Sequence, residues 1–240
     1  MKKRELLLLG ALVLGAVGFE LRTIQLKLGY EGGLPVGIVW LWPALLTLLV
    51  AVGLAVCLWR MPEKQAYDEL PASGRIGAIL YAAAAGLLLA SSVAGFVTDK
   101  SGSDLLFSRI VAALGVVTAL SLLSSAAAQY RGKTPAAWTC FAPIVYLLAS
   151  IVFHFRRWSV DPIVMDYCYK LLSSLAAMLG LFYAGGFLFD RGKRRFGAFF
   201  CLFGVYLACV TLADGGLEHV LLTGSLLLLL CANARRLVKN

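Results

Sequence analysis

IGAILYAAAAGLLLASSVAGFV, residues 76–97, carries no charged side chain. About twenty residues at ~1.5 Å each cross a hydrocarbon core of ~30 Å. In lipid every backbone N–H and C=O must be paired inside the protein, which leaves helices and closed barrels as spanning elements. A barrel strand would alternate apolar and polar residues over roughly ten positions. This stretch is continuous instead, so it reads as a membrane-spanning helix.

Seven comparable runs surround it. Residues 6–26 and 36–58 precede it; residues 105–128, 135–153, 162–189, 196–213 and 216–234 follow. The 240-residue chain is 60% hydrophobic, which excludes an ordinary soluble domain. Mean hydropathy of +0.84 agrees. The expected fold is an all-α polytopic bundle of about eight transmembrane helices, a single integral membrane domain over residues 1–240. The longest connection, residues 60–75, is too short to fold as a soluble domain. Any chemistry is therefore expected in the membrane or at its surface.

The connections alternate in charge. With the N-terminus inside, 15 Lys and Arg residues lie in inner segments and 6 in outer ones, and Lys170 falls within a run. That bias predicts both termini in the cytoplasm and a multi-pass protein of the cytoplasmic membrane. The net charge of +9 is thus carried at helix ends. No cationic face interleaved with aromatics suggests nucleic acid, and the bilayer is the expected partner. A second reading applies to the start of the chain. Lys2-Lys3-Arg4, a leucine-rich run and Ala16-Val17-Gly18 also fit a cleaved signal peptide, which would leave seven helices.

Six cysteines, at 57, 140, 168, 201, 209 and 231, lie in apolar runs without a C-x-x-C pair and read as small hydrophobes. Two histidines on separate helices make a poor metal site, and no cofactor or metal is expected. P-loop, H-E-x-x-H and G-x-S-x-G patterns are absent from the sequence. Leu222-Thr223-Gly224-Ser225 lies in unbroken apolar sequence and makes an unconvincing nucleophile loop. An enzyme is therefore the less favoured class.

Shifting the chain by 60 places Arg131-Gly132-Lys133 on Arg191-Gly192-Lys193 and Val145-Tyr146-Leu147 on Val205-Tyr206-Leu207. This suggests a weak parallel repeat of residues 105–153 and 165–213, of the kind found in transporters. Leucine-rich helices joined by Gly- and Lys-containing turns give the same match by chance. Ser73, Ser103, Thr134-Pro135 and Asp161-Pro162 are expected helix starts. Pro143, in mid-run, should kink its helix.

Small residues recur at i, i+4 in the third run: Ala78, Ala82, Gly86, Ala90 and Ala94. Such a line permits close helix approach and is the expected packing seam, within the bundle or between copies. Ala176, Gly180 and Ala184 repeat the device, as do Ala11 and Gly15. A homo-oligomer or a membrane-protein partner is compatible with these lines.

Counting depth from the helix ends sorts the ionisable residues. Asp166 and Lys170, spaced i, i+4 at the outer boundary, form a candidate interfacial ion pair. Arg109 and His154 also fall at that boundary. Arg22 and Lys27 are expected to reach the surface on long stems. Glu20 falls inside the apolar region, where a carboxylate is costly. Glu218 and His219 lie slightly inside, after an Asp214-Gly215-Gly216 turn. Glu20, Glu218 and His219 are therefore a candidate intramembrane polar pocket, either an ion or proton path or a salt-bridged cluster.

The marks D-P-x-x-x-D-Y from Asp161, Y-A-G-G-F at 183–187, and V-Y…L-A-D-G-G at 205–216 resemble uncharacterised membrane proteins of Clostridia-like Gram-positive bacteria. That group has no established activity, so the resemblance transfers no residue role. Two functional classes remain open: a transport-like protein or membrane subunit of a transport system, and a non-catalytic scaffold, assembly or sensory protein.

Overall fold

The computed structural model describes residues 5–28, 30–31, 34–35, 38–39, 41–61, 66, 74–98, 105–158 and 164–239. Among the described residues, eight helices are long and apolar enough to cross a membrane, and the chain is a multi-pass integral membrane protein. They are α1 Glu5–Leu28, α2 Leu41–Trp59, α3 Gly74–Thr98, α4 Leu105–Tyr130, α5 Trp138–Trp158, α6 Val164–Gly185, α7 Arg194–Thr211 and α8 Leu217–Val238. Short 3-10 turns, Gly186–Phe189 and Leu212–Asp214, bracket α7. Tyr30–Glu31 and Leu34–Pro35 make a two-residue antiparallel pairing after α1.

Six helices form a closed ring, in which α3, α4, α5, α6, α7 and α8 each pack on the next and α8 returns to α3. Both α1 and α2 lie outside the ring against α7. This makes α7 the most enclosed helix, with residues 201–208 buried without interruption. A helix that is apolar all round belongs in such a position. By contrast α2 turns Leu48, Leu49, Val52 and Val56 outward, as a lipid-facing helix does. The end of the bundle bearing residues 5 and 238 is termed the terminal end, and the other the distal end.

Close approach sets the position of α1. A Cβ at Gly15 would lie 2.7 Å from Cys209 Cβ, and one at Gly18 would lie 2.6 Å from Val210 Cγ2. The buried stripe Ala11, Gly15, Gly18, Arg22, Gln25 follows helical spacing. The Ala176–Gly180 line also packs inward: a Cβ at Gly180 would meet the Cys201 backbone N at 3.2 Å.

The line on α3 does so only at Ala78. Ala82, Gly86 and Ala90 are exposed, and a Cβ at Gly86 would meet nothing within 4 Å. Within the monomer α3 packs instead through Ala78, Ala84, Ala85, Leu88, Ser91 and Ser92. Several small-residue lines run along this alanine-rich helix, and the one with the polar serines at its distal end is turned inward.

Buried Arg194 and half-buried Arg195 tie down the terminal end. Arg194 Nε donates to the Leu237 carbonyl at 2.7 Å and Nη2 to the Lys239 carbonyl at 2.9 Å, closing the C-terminus of α8. Arg195 donates to the Met61 carbonyl after α2. On the α2 side, Thr47 and Tyr206 hydroxyls meet at 3.0 Å.

Several helix starts differ from expectation. Thr134-Pro135 does not begin α5, which starts at Trp138 after a turn from Ala136. The second run becomes helical only at Leu41, so Pro43 falls in its first turn. Ser73, Ser103 and Asp161-Pro162 lie outside the described residues. The two Arg-Gly-Lys segments occupy matching connections but build different turns: Gly132 takes φ 68, whereas Asp190 takes φ 52 before Gly192.

Candidate functional site

A cavity of about 580 Å³ occupies the distal half of the ring. Its walls come from α3, α4, α5, α6 and α8, with the α7–α8 turn at its rim. The serines Ser91, Ser92, Ser108, Ser150 and Ser174 all line it, together with Tyr146 and Tyr167. The ionisable lining is Lys170, Asp214, Glu218, His154 and His219. Ser174 lies ten residues into α6, about 15 Å below its distal start, so the cavity reaches about half-way through the core.

The structure places Glu218 and His219 in this cavity and Glu20 outside it. Glu20 is exposed on α1. It sits two residues, about 200°, around the helix from the buried positions Gly18 and Arg22. Glu20 thus does not join the other two. The side chain of Asp166 lies outside the described part, so the Asp166–Lys170 pairing does too. Lys170 itself lines the cavity, with its Nζ 5.7 Å from the Tyr167 ring centroid.

Arg22 does not snorkel to the surface. It is fully buried, and its Nε donates to Asp214 Oδ1 at 2.9 Å. Nη1 donates to Gln25 Oε1 at 2.9 Å, and the guanidinium lies 5.1 Å from the Tyr169 ring centroid. This pair fixes α1 to the α7–α8 turn and compensates the Asp214 charge at the cavity rim. The continuation of the Ala11, Gly15, Gly18 stripe to position 22 was the sequence signal for it.

Glu218 rests directly against α3. A Cβ at Gly95 would fall 2.7 Å from Glu218 Oε1, so only glycine leaves the carboxylate room there. Ser91 Oγ donates to the Glu218 backbone carbonyl at 2.9 Å. These contacts hold the first turn of α8 onto α3.

Each histidine is oriented by a backbone carbonyl. His154 Nδ1 lies 2.8 Å from the Ser150 carbonyl, and His219 Nε2 lies 3.1 Å from the Thr211 carbonyl. A carbonyl only accepts, so each of these nitrogens carries the proton. In the neutral form of each ring the remaining acceptor is Nε2 of His154 and Nδ1 of His219. Ser150 Oγ, 3.2 Å from His154 Nδ1, and Thr223 Oγ1, 3.3 Å from His219 Nε2, both face the protonated nitrogen. Neither hydroxyl is therefore activated by that ring as a general base, and the arrangement suits binding better than nucleophilic catalysis.

A second, smaller cavity of about 40 Å³ lies toward the terminal end, walled by the same five helices. It is lined by Tyr81, Ser125, Gln129, Thr139, Asn233 and Arg236 among others. Tyr81 donates to Asn233 Oδ1 at 2.9 Å, and Ser125 donates to Thr139 at 2.8 Å. Gln129 Oε1 is buried with no hydrogen-bond partner among the described residues. Between the cavities lie Ala84, Ala119, Ala177 and Leu226, all buried. On α5 the separation is short: Tyr146 lines the upper cavity and Pro143 the lower, one helical turn apart.

Sequence reasoning missed His154, Lys170, Asp214, Tyr146 and the serines as members of one site. The visible signal was the serine pairs Ser91-Ser92 and Ser173-Ser174, set in the distal halves of otherwise apolar helices. No protein-family model, curated protein or solved structure matches this chain.

Proposed function

We propose that the protein binds a small polar solute in the distal cavity and passes it along the axis enclosed by α3, α4, α5, α6 and α8. This is a transport-like role, alone or as the membrane subunit of a transport system. In the orientation predicted by the charge bias, with both termini in the cytoplasm, the distal cavity opens to the outside of the cytoplasmic membrane. The observation that carries the reading is the stacking of two cavities with polar groups in their linings inside the same five helices. Ionisable groups within a membrane bundle are costly and, where they occur, face its interior or a water-filled cavity and mark pathways. The volume of the distal cavity falls in the range of about 300–1,000 Å³ typical of small-molecule sites.

A scaffold or assembly role draws support from one other observation, the small-residue line on the outer face of α3. The two readings separate experimentally. In a cysteine-free background, Ser174→Cys and Ser125→Cys are exposed to a membrane-impermeant thiol reagent from each side of oriented vesicles. Transport predicts that Ser174→Cys reacts from outside and Ser125→Cys from the cytoplasmic side. Proteoliposomes loaded with a mixture of small polar metabolites should show protein-dependent efflux that Ser174→Trp abolishes. If Ser174→Cys is inert from both sides and no component leaves, the scaffold reading replaces this one.

A further inference from the structure

We infer that a groove on the outer side of the α5–α6 seam seats one anionic phospholipid. Arg191 and Lys193 hold its phosphate, and an acyl chain lies against Phe141, Ile144 and Phe182. The site is distinct from the two axial cavities and does not depend on the solute-binding reading.

The groove takes its shape from the way α6 ends. The helix stops at Gly185, opposite Cys140 of α5, and a Cβ at Gly185 would lie 3.3 Å from Cys140 Cβ. The chain then turns through Gly186–Phe189. That turn sends Phe187 into the core and leaves Phe189 half-exposed beside Phe141, with ring centroids 5.7 Å apart. Next to the Cys140–Gly185 contact a groove of about 700 Å³ stays open. Phe141, Ile144, Phe182, Tyr183 and Phe189 form its apolar wall. Phe141 and Phe182 are half-exposed, so nothing in the chain covers them fully. In a bilayer hydrocarbon fills such a concave face, because an empty groove forfeits dispersion contacts.

Chemistry at the mouth selects the headgroup. Arg191 and Lys193 both line the groove, and both are exposed. They lie in the α6–α7 connection at the terminal end, where headgroups meet the bundle. Lys193 Nζ is 5.9 Å from the Phe196 ring centroid, and Phe196 stacks on Tyr183 of the groove wall at 5.6 Å. The ammonium is thereby kept beside the groove. Lys193 also precedes α7, which begins without a side-chain cap, so the positive end of that helix dipole adds to the two cations. Among the described residues no Asp or Glu lines the groove, and Asp190 is not part of its wall. Basic pockets between membrane helices bind anionic headgroups, and a guanidinium matches a phosphate with two hydrogen bonds. Phosphatidylethanolamine brings an ammonium that these cations repel. Phosphatidylglycerol brings a phosphate with no cation of its own.

The test uses the full-length protein in nanodiscs of equal phosphatidylglycerol and phosphatidylethanolamine, with native mass spectrometry of the lipids retained on release. The expected result is one retained phosphatidylglycerol, preferred about tenfold over phosphatidylethanolamine. Arg191→Gln with Lys193→Gln should remove most of that preference. Arg131→Gln with Lys133→Gln takes the same charge from the same end outside the groove lining and should leave the preference unchanged. Arg191→Lys with Lys193→Arg should retain it, which separates headgroup recognition from a folding defect. Phe141→Ala with Phe182→Ala should shorten the retention of phosphatidylglycerol, because the acyl chain loses its wall.

The inference is overturned if the two lipids are retained equally. It is overturned if both Gln pairs weaken the preference alike, since the preference then belongs to the overall charge of that end. Retention of phosphatidylglycerol at the wild-type level in Phe141→Ala with Phe182→Ala also overturns it, because the groove is then not the seat. So does displacement of phosphatidylglycerol by an equal concentration of palmitate, because the mouth then does not read a phosphate.

Discussion

The two ends of the five-helix axis are built from the same helices and reach opposite outcomes. At the distal end the inward positions include Ser91, Ser92, Gly95, Ser108, Ser150 and Ser174, with Tyr146, Phe153 and Tyr167, and the cavity measures about 580 Å³. Toward the terminal end the inward positions include Leu122, Leu181, Leu188 and Leu229, and about 40 Å³ is left. The devices that hold the ends differ as well. The terminal end is fixed by an arginine on backbone carbonyls, Arg194 closing α8. The distal end is fixed by an ion pair, Arg22 with Asp214, at the cavity rim. An arginine that satisfies carbonyls leaves no partner charge behind when it is removed. A buried ion pair does.

The largest effect should therefore come from the distal device. Arg22→Gln breaks the buried ion pair with Asp214 and should cost about 3–5 kcal/mol. Thermal unfolding in detergent measures this, and a Tm within 2 °C of wild type at about 1 kcal/mol sensitivity would deny the pair its structural role. Replacing both partners with apolar residues, Arg22→Met with Asp214→Leu, should recover most of the loss, since matched apolar pairs often equal a buried ion pair. Arg194→Met should cost less, roughly 1–3 kcal/mol, because the Leu237 and Lys239 carbonyls lose a buried donor. Equal losses for Arg22→Gln and Arg194→Met would erase the contrast drawn between the two ends.

Gly95→Ala sharpens the contrast further. The added methyl group must displace the Glu218 carboxylate, the flexible end of a side chain, so stability should fall by only about 1 kcal/mol or less. Ligand binding in the distal cavity should weaken far more than the Tm implies. A binding constant unchanged in Gly95→Ala would mean that the position of Glu218 is irrelevant to the site. The smallest effect belongs to Gly86→Leu. Its side chain points away from the bundle, so the Tm of the monomer should move by less than about 0.5 kcal/mol equivalent. A change in oligomeric mass by light scattering in this variant would show that the outer line of α3 serves an interface between chains.

Much of this architecture is legible in the residues. Continuous apolar runs bounded by Lys and Arg place all eight helices within a few residues of where they lie, because lipid admits so few alternatives. What hydropathy does not encode is rotation about each helix axis. Glu20 and Arg22 have nearly the same depth, and depth alone made the carboxylate the anomaly and the guanidinium ordinary. The stripe of small residues on α1 reverses that assignment, because position 22 continues it and position 20 opposes it. On α3 the same reasoning fails, since alanine and glycine occur on nearly every face and several lines satisfy i, i+4 spacing equally. Only the placement of Ser91 and Ser92 distinguishes the inner face. The cavity was harder still to foresee. His154 and Lys170 look like ordinary boundary residues until the ring closes and brings them to the same wall system as Glu218.

Arg22 and Asp214 are 192 positions apart in the chain. At roughly 5–20 residues per second of synthesis, α1 waits about 10–40 s for its counter-ion to emerge. During that interval an arginine destined for a dry interior must be kept at the interface or among other helices. Of the eight helices described, α1 thus precedes the others in synthesis yet is among the last to gain its partner, the turn beyond α7.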